Sequence, residues 1–258
     1  IQPRNLVILG KSSKLKLVHC DDIFSHVPTL ANSVTEIFVA ENASVEYFKM
    51  QNNDNHSALI SSTYFHQRDN STITSHTISL NGGIIRNNLH VAINGENCES
   101  NLYGLYLPDK DQLVDNHTFV EHLKPNSTSR ELFKGVIDEH ARAVFSGRIE
   151  VKKEAQKTNA FQTNNNILLS DDATVNSKPN LQIYADDVKC SHGATVGQLD
   201  QEALFYMRAR GIGEENAKTL LMYAFADEVI TKISIDALRE KICQLVNKRL
   251  KGELSICD

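Results

Sequence analysis

The sequence predicts a mainly β chain, a parallel β-helix (β-solenoid) over residues 1–197 followed by a small C-terminal α-helical domain over residues 198–258. Three observations predict it. Apolar residues up to Val196 recur in pairs and triplets at period two, Asn, Asp, Gly or Ser clusters follow them, and beyond Val196 the period turns helical. The pairs include Ile37/Val39, Val45/Tyr47, Ile78/Leu80, Leu89/Val91/Ile93, Leu105/Leu107, Ile149/Val151, Ile167/Leu169, Leu181/Ile183 and Ala194/Val196. Such short strands at regular spacing fit a sandwich, a barrel or a solenoid. Their length favours the solenoid, where each strand needs only two or three inward residues and stacked coils bury one continuous core. Asn-rich turns agree, since Asn tolerates left-handed backbone and can ladder between coils. No strict repeat occurs, so the sandwich stays open on periodicity alone. Asn81-Gly82 and Asn94-Gly95 have the composition of two-residue hairpin turns.

Three short helices are expected after Val196. Asp200 caps the first, which runs to about Arg210 with Leu204, Phe205 and Met207 on its apolar side, and Gly211 and Gly213 end it. Glu214 and Glu215 place negative charge at the start of the second, which carries Leu220, Leu221, Ala224, Phe225 and Val229. The third begins near Ser234 or Asp236, aligns Ile235, Leu238, Ile242, Leu245 and Val246, carries Lys248, Arg249 and Lys251 in its last turn, and stops at Gly252. Three such helices bury little alone and must pack on the β domain or on a partner.

Composition narrows the function classes. With 27 basic and 32 acidic residues the net charge is -5. That disfavours general nucleic-acid binding, which needs a basic face. No run of 18 or more apolar residues occurs, so no segment reads as a membrane-spanning helix. The segment 1–10 is not a signal peptide, and the chain reads as starting within a longer protein. Cys20, Cys98, Cys190, Cys243 and Cys257 form no CxxC and no disulfide framework, which fits a reducing compartment. Sequons at Asn42, Asn55, Asn70, Asn116 and Asn126 are expected by chance in a chain rich in Asn, Ser and Thr.

The sharpest cluster is Asp186-Asp187-Val188-Lys189-Cys190-Ser191-His192-Gly193. Cys190 and His192, two apart on an extended strand, point to the same side. Thiolate and imidazole are good ligands for iron and other borderline metals. Two ligands are half a site, suited to transient or shared metal at a subunit interface; the competing explanation is a structural Cys beside a surface His. The other histidines, His26 among them, are scattered, and His117 and His122 lack zincin spacing. Asp138-Glu139-His140 reads as a charged turn. No phosphate loop, no dinucleotide fingerprint and no GxSxG is present. A carbohydrate-active β-helix enzyme is the alternative, disfavoured by the absence of Trp and the 7% aromatic content.

From Phe133 to Phe225 the chain resembles the SufB/SufD family of iron–sulfur cluster assembly proteins. The resemblance is carried by Phe133-Lys134-Gly135-Val136, Ala141 to Ile149, Ala155 to Ala160 and Asn166-Ile167-Leu168-Leu169-Ser170. Most of all it is carried by Lys178 to Gly197, followed by Leu204-Phe205-Tyr206-Met207-Arg208-Ala209-Arg210-Gly211-Ile212. Residues 1 to about 130 are similar more loosely, Pro3-Arg4-Asn5-Leu6 being the clearest piece. Two positions favour the D-type branch: Asn164-Asn165-Asn166 where B-type chains carry a cysteine, and His192 where they carry an acid. The resemblance implies a right-handed parallel β-helix with C-terminal helices in a non-catalytic, cytoplasmic scaffold. It implies pairing with SufB through the β-helix, docking of the SufC ATPase on the helices, and a possible homodimer when alone. It implies no tightly bound cofactor. Transient iron or a nascent Fe–S cluster is expected near His192 and, more weakly, Cys190. Family members also have an N-terminal helical region, which this chain is expected to lack.

Overall fold

The computed structural model describes residues 1–21 and 27–250; His26, Lys251, Gly252 and Cys257 lie outside the described residues. Among the described residues fourteen strands precede three helices. They are β1 Arg4–Leu9, β2 Lys14–Asp21, β3 Thr29–Val39, β4 Ser44–Asn52, β5 Ser57–Gln67, β6 Thr72–Asn81 and β7 Ile84–Ile93. The series continues with β8 Glu99–Tyr106, β9 Leu113–His122, β10 Thr128–Ile137, β11 Arg142–Val151, β12 Asn159–Leu168, β13 Thr174–Ile183 and β14 Lys189–Gly197. Odd strands form one seven-stranded sheet and even strands another, so the chain alternates between sheets and climbs one coil per pair of strands. Every pairing between strands is parallel. This is a parallel β-solenoid, and the sandwich is excluded.

Two sequence expectations need correction. Most strands are 8 to 11 residues long rather than very short. The period-two pattern looked fragmentary because many inward positions are polar: Ser61, Thr63, Gln67, Ser75, Gln162 and Asn164 are all buried. Asn81-Gly82 and Asn94-Gly95 are solenoid corners, not hairpins, because the strands they join lie in different sheets.

One corner explains the missing strict repeat and the sequons together. Ser12, Asn42, Asn70, Asn97, Asn126 and Lys157 occupy the same place in successive coils, with φ between 54° and 64°. The backbone N–H of Asn42 bonds Asp69 O, that of Asn70 bonds Glu96 O, and that of Asn126 bonds Gln156 O. Asn meets left-handed backbone at lower cost than most side chains. The Ser or Thr two positions later (Ser44, Thr72, Thr128) opens a strand of the even sheet. Three of the five sequons are therefore this corner, repeated. The coil itself varies, from 26 residues between Ala58 and Ile84 to 32 between Arg142 and Thr174, which hides the repeat from a search at fixed period.

Two cores result. Inside the solenoid, Ile37, Tyr47, Phe65, Ile73, Ile93, Leu102, Val120, Phe145 and Ile149 stack into one continuous cluster. Outside the even sheet, Phe48, Met50, Ile78, Leu80, Leu105, Leu107 and Val136 pack against the helices α2 Glu214–Ile230 and α3 Asp236–Arg249, while α1 Gln201–Ala209 lies against α2. The helices start where expected. The Asp200 side chain accepts from the N–H groups of Glu202 and Ala203 at 2.9 and 3.1 Å, and Glu214 and Glu215 sit in the first turn of α2. Their buried faces are Leu204; Ala217, Met222, Ala226, Val229 and Ile230; and Ile242 and Val246. Phe205, expected on the apolar side of α1, is 75% exposed instead.

Polar ties fix the helices on the sheet. Buried Lys134 donates to Phe225 O at 3.0 Å, pairs with Glu228, and lies 4.3 Å from the Phe225 ring centroid. Arg249 pairs with Asp109 at 2.7 Å and donates to Leu107 O at 3.0 Å.

Candidate functional site

The solenoid has two terminal coils, and the C-terminal one is where the sequence placed its metal-ligand pair. There β13 is the last strand of the odd sheet and β14 the last of the even sheet, so both present an unpaired edge. In parallel stacking, residues that face each other across neighbouring strands share one side of the sheet. Cys190 pairs with Ala160, His192 with Gln162, Ala194 with Asn164 and Val196 with Asn166. The four β12 residues are buried in the solenoid interior. Cys190 and His192 therefore share one side of the strand, as their spacing predicted, and the register makes that side the lumen. In an inner coil this would bury them, but in the last coil it leaves them at the mouth.

Their environments differ. Cys190 is half-buried, packs against the interior cluster, and is a free thiol. Burial pushes that thiol up, offset in part by a backbone hydrogen bond with Ala160, so it is a weaker nucleophile and ligand than an exposed cysteine. His192 is exposed. Among the described residues no cluster of three or more His, Cys, Asp or Glu side chains has metal-site geometry, and none adds a third such group to the pair.

Beneath the mouth lies a polar layer that sequence reading missed. The Tyr106 hydroxyl donates to Asn166 Oδ1 at 2.6 Å, Asn164 Nδ2 donates to that hydroxyl at 2.8 Å, and Asn166 Nδ2 donates to Asn164 Oδ1 at 2.8 Å. Ser177, on β13, donates to the same Asn164 oxygen at 2.7 Å. Beside this closed network, Gln162 Nε2 donates to Glu131 Oε1 at 3.0 Å. Glu131 is 3% exposed, and among the described residues no cation pairs with it. Burial pushes its carboxyl up to about 7, the Thr118 hydroxyl and the Gln162 amide drawing it back only in part. A buried acid with no ionic partner is a costly thing to place in a fold interior. No local motif announces it; the only signal is inward parity on β10 combined with the coil register.

The remaining candidates have structural explanations. Asp138-Glu139-His140 is a turn with Glu139 at φ 54°, and His140 meets Asp172 at 3.4 Å in solvent. His117 pairs with Asp115 on the outer face, while His122 is buried and bonded to Ser129 Oγ at 2.8 Å. Cys98 is buried in a corner as a free thiol and Cys20 is exposed, whereas Cys243 is disulfide-bonded. A cleft of about 410 Å³ between α2, the end of α3 and the solenoid corners is lined by Leu107, Val136, Leu169, Leu204 and Met222, away from the Cys190/His192 mouth. No helix is long and apolar enough to cross a membrane among the described residues.

The structure is thus a seven-coil parallel solenoid with helices on one face and a Cys/His pair at its open end. The chain belongs to the SufBD family: residues 1–225 match the family described as "SUF system FeS cluster assembly, SufBD core domain". It is 38% identical over 216 residues to the iron-sulfur cluster assembly protein SufD of Escherichia coli, covering 84% of this chain and 51% of that one. It is 35% identical over 257 residues to an iron-sulfur cluster assembly SufBD family protein of Synechocystis, covering 96% and 57%. Against the chloroplastic protein ABCI7 of Arabidopsis thaliana it is 37% identical over 211 residues, covering 81% and 44%. The chain thus spans about half the length of the relatives it matches.

Proposed function

We propose that this chain is a non-catalytic scaffold subunit of iron–sulfur cluster assembly, pairing with SufB through the open end of its solenoid and docking the SufC ATPase on its helices. One observation carries the reading: His192 stands exposed on the terminal strand of the even sheet, in lumen-facing register with Cys190. An edge strand offers N–H and C=O groups to another chain, and a lone exposed imidazole at that edge is suited to complete a site whose other ligands come from the partner. Iron or a nascent cluster is then substrate passing through the interface. Exposed Phe205 and Tyr206 on α1 add apolar contact surface for docking. Two copies pairing through the same edges would give a homodimer when SufB is absent.

The test is reconstitution with SufB and SufC and anaerobic cluster assembly. His192→Ala is expected to lower the yield of cluster without preventing complex formation; an unchanged yield removes His192 from the mechanism. Half-burial of Cys190 favours a structural role for that residue. Anaerobic iron binding by the SufB pair should therefore fall more in His192→Ala than in Cys190→Ser. Equal iron binding in wild type and both variants would leave a pure docking module.

A further inference from the structure

Of the three buried amides on β12, Gln162 alone has an unpaired side-chain oxygen. Asn164 Oδ1 accepts from Asn166 and Ser177, and Asn166 Oδ1 accepts from the Tyr106 hydroxyl. Gln162 Oε1 is buried and makes no hydrogen bond among the described residues. The amide is also held in place. Its Nε2 is anchored on Glu131 one coil below. Gly147, on the facing sheet, closes against it so tightly that an added Cβ would lie 2.3 Å from Nε2. The anchored nitrogen points down, toward Glu131, and the next side chain above in the same column is His192. Neighbouring strands lie about 4.8 Å apart, so an imidazole turned into the lumen brings a ring N–H within reach of that carbonyl.

We propose that Gln162, anchored by Glu131 and walled by Gly147, is a positioning residue for His192: its side-chain oxygen receives one imidazole N–H and leaves the other ring nitrogen free at the mouth of the solenoid. Metal-binding histidines generally donate their second nitrogen to an oxygen in this way, which sets tautomer and ring orientation together. The inference rests on reading His192 as a ligand, but its test does not. Asn164 and Asn166 cannot substitute, since their oxygens are committed to the Tyr106 network.

The experiment is long-range ¹H–¹⁵N spectroscopy of the histidine rings in the isolated chain at a pH where His192 is neutral, the His192 signals being identified by their loss in His192→Ala. Wild type is expected to show one dominant tautomer. In Gln162→Met, with matched size and no acceptor, the tautomer ratio is expected to change by up to about tenfold, the effect of one ordinary hydrogen bond. Should Gln162→Met fail to fold, Gln162→Asn, which keeps polarity but withdraws the oxygen by one methylene, is expected to move the ratio in the same direction. An unchanged ratio in a folded Gln162 variant overturns the proposal, because a purely structural glutamine would alter stability and not the tautomer. Cluster assembly that ignores His192→Ala would overturn the ligand reading instead, whatever the tautomer shows.

Discussion

Replacing Glu131 by Gln turns the buried acid into a measurable quantity. The folded-state carboxyl titrates at about 7 and the unfolded one at its ordinary value of 4.5. Below pH 4.5 both states carry the proton and the residue has no pH-dependent effect. Between 4.5 and 7 the folded state holds a proton that the unfolded state has released, so stability falls as pH rises through that window and levels off above it. The two values place the total near 3 kcal/mol, at about 1.36 kcal/mol per pH unit. At 3% exposure solvent does not screen it away. In Glu131→Gln the side-chain oxygen still accepts from Gln162 Nε2. The new amide N–H₂ can donate to the Thr118 hydroxyl, which in wild type faces the carboxyl. The variant is therefore expected to match wild type near pH 4.5 and to exceed it by about 3 kcal/mol at pH 8. Urea unfolding of both proteins at pH 5, 6, 7 and 8 reads the difference directly. A gain of equal size at every pH, or none at pH 8, would refute the reasoning: Glu131 would then be ionised and solvated in the folded state.

Further predictions come from other buried groups. His76 is stacked between Phe48 and Tyr103 under the helices, with neither ring nitrogen bonded, and burial lowers it to about 4. The unfolded chain takes up that proton first, so wild type loses stability as pH falls from 6.5 to 4. His76→Phe should remove this loss and gain about 3 kcal/mol on wild type by pH 4 in the same urea assay. Gly135→Ala would set a Cβ 2.2 Å from the Tyr106 ring and 2.5 Å from Asn166 Oδ1. It should cost about 1–3 kcal/mol or more and lower the melting temperature. At the left-handed corner, Asn126→Ala should cost about 1 kcal/mol, while Lys157→Gly should be neutral or stabilising by up to about 1 kcal/mol, both read from unfolding midpoints.

Helix boundaries were legible because their signals are local: Asp200 ahead of α1, and Glu214 and Glu215 opening α2, act within one turn of where they stand in sequence. The strands were legible as strands and not as partners. Leu89/Val91/Ile93 and Ile78/Leu80 have the same alternation, yet the first set fills the solenoid and the second lies under the helices. Period two says that a strand has two faces; it does not say what covers each. A helix-covered outer face makes most of β4 and β6 buried on both sides, which blurs alternation where it would be most useful.

The same limit explains what was read and missed at the site. Cys190 and His192 stood out because a thiol and an imidazole at spacing two are visible within one strand. Glu131 and Gln162 lie 31 residues apart, Gln162 and His192 another 30, and only the coil register stacks them. In an inner coil, lumen-facing parity demands a residue that tolerates burial, so a polar side chain there must find a partner in the coil above or below. In the last coil, among the described residues, no further coil stacks above. A lumen-facing residue of β14 can then be as polar as His192 at no desolvation cost, and the polar column beneath it, from Glu131 through Gln162, ends at a surface. If the Cys/His pair is a half-site, as proposed, its remaining ligands would have to come across the open edges of β13 and β14.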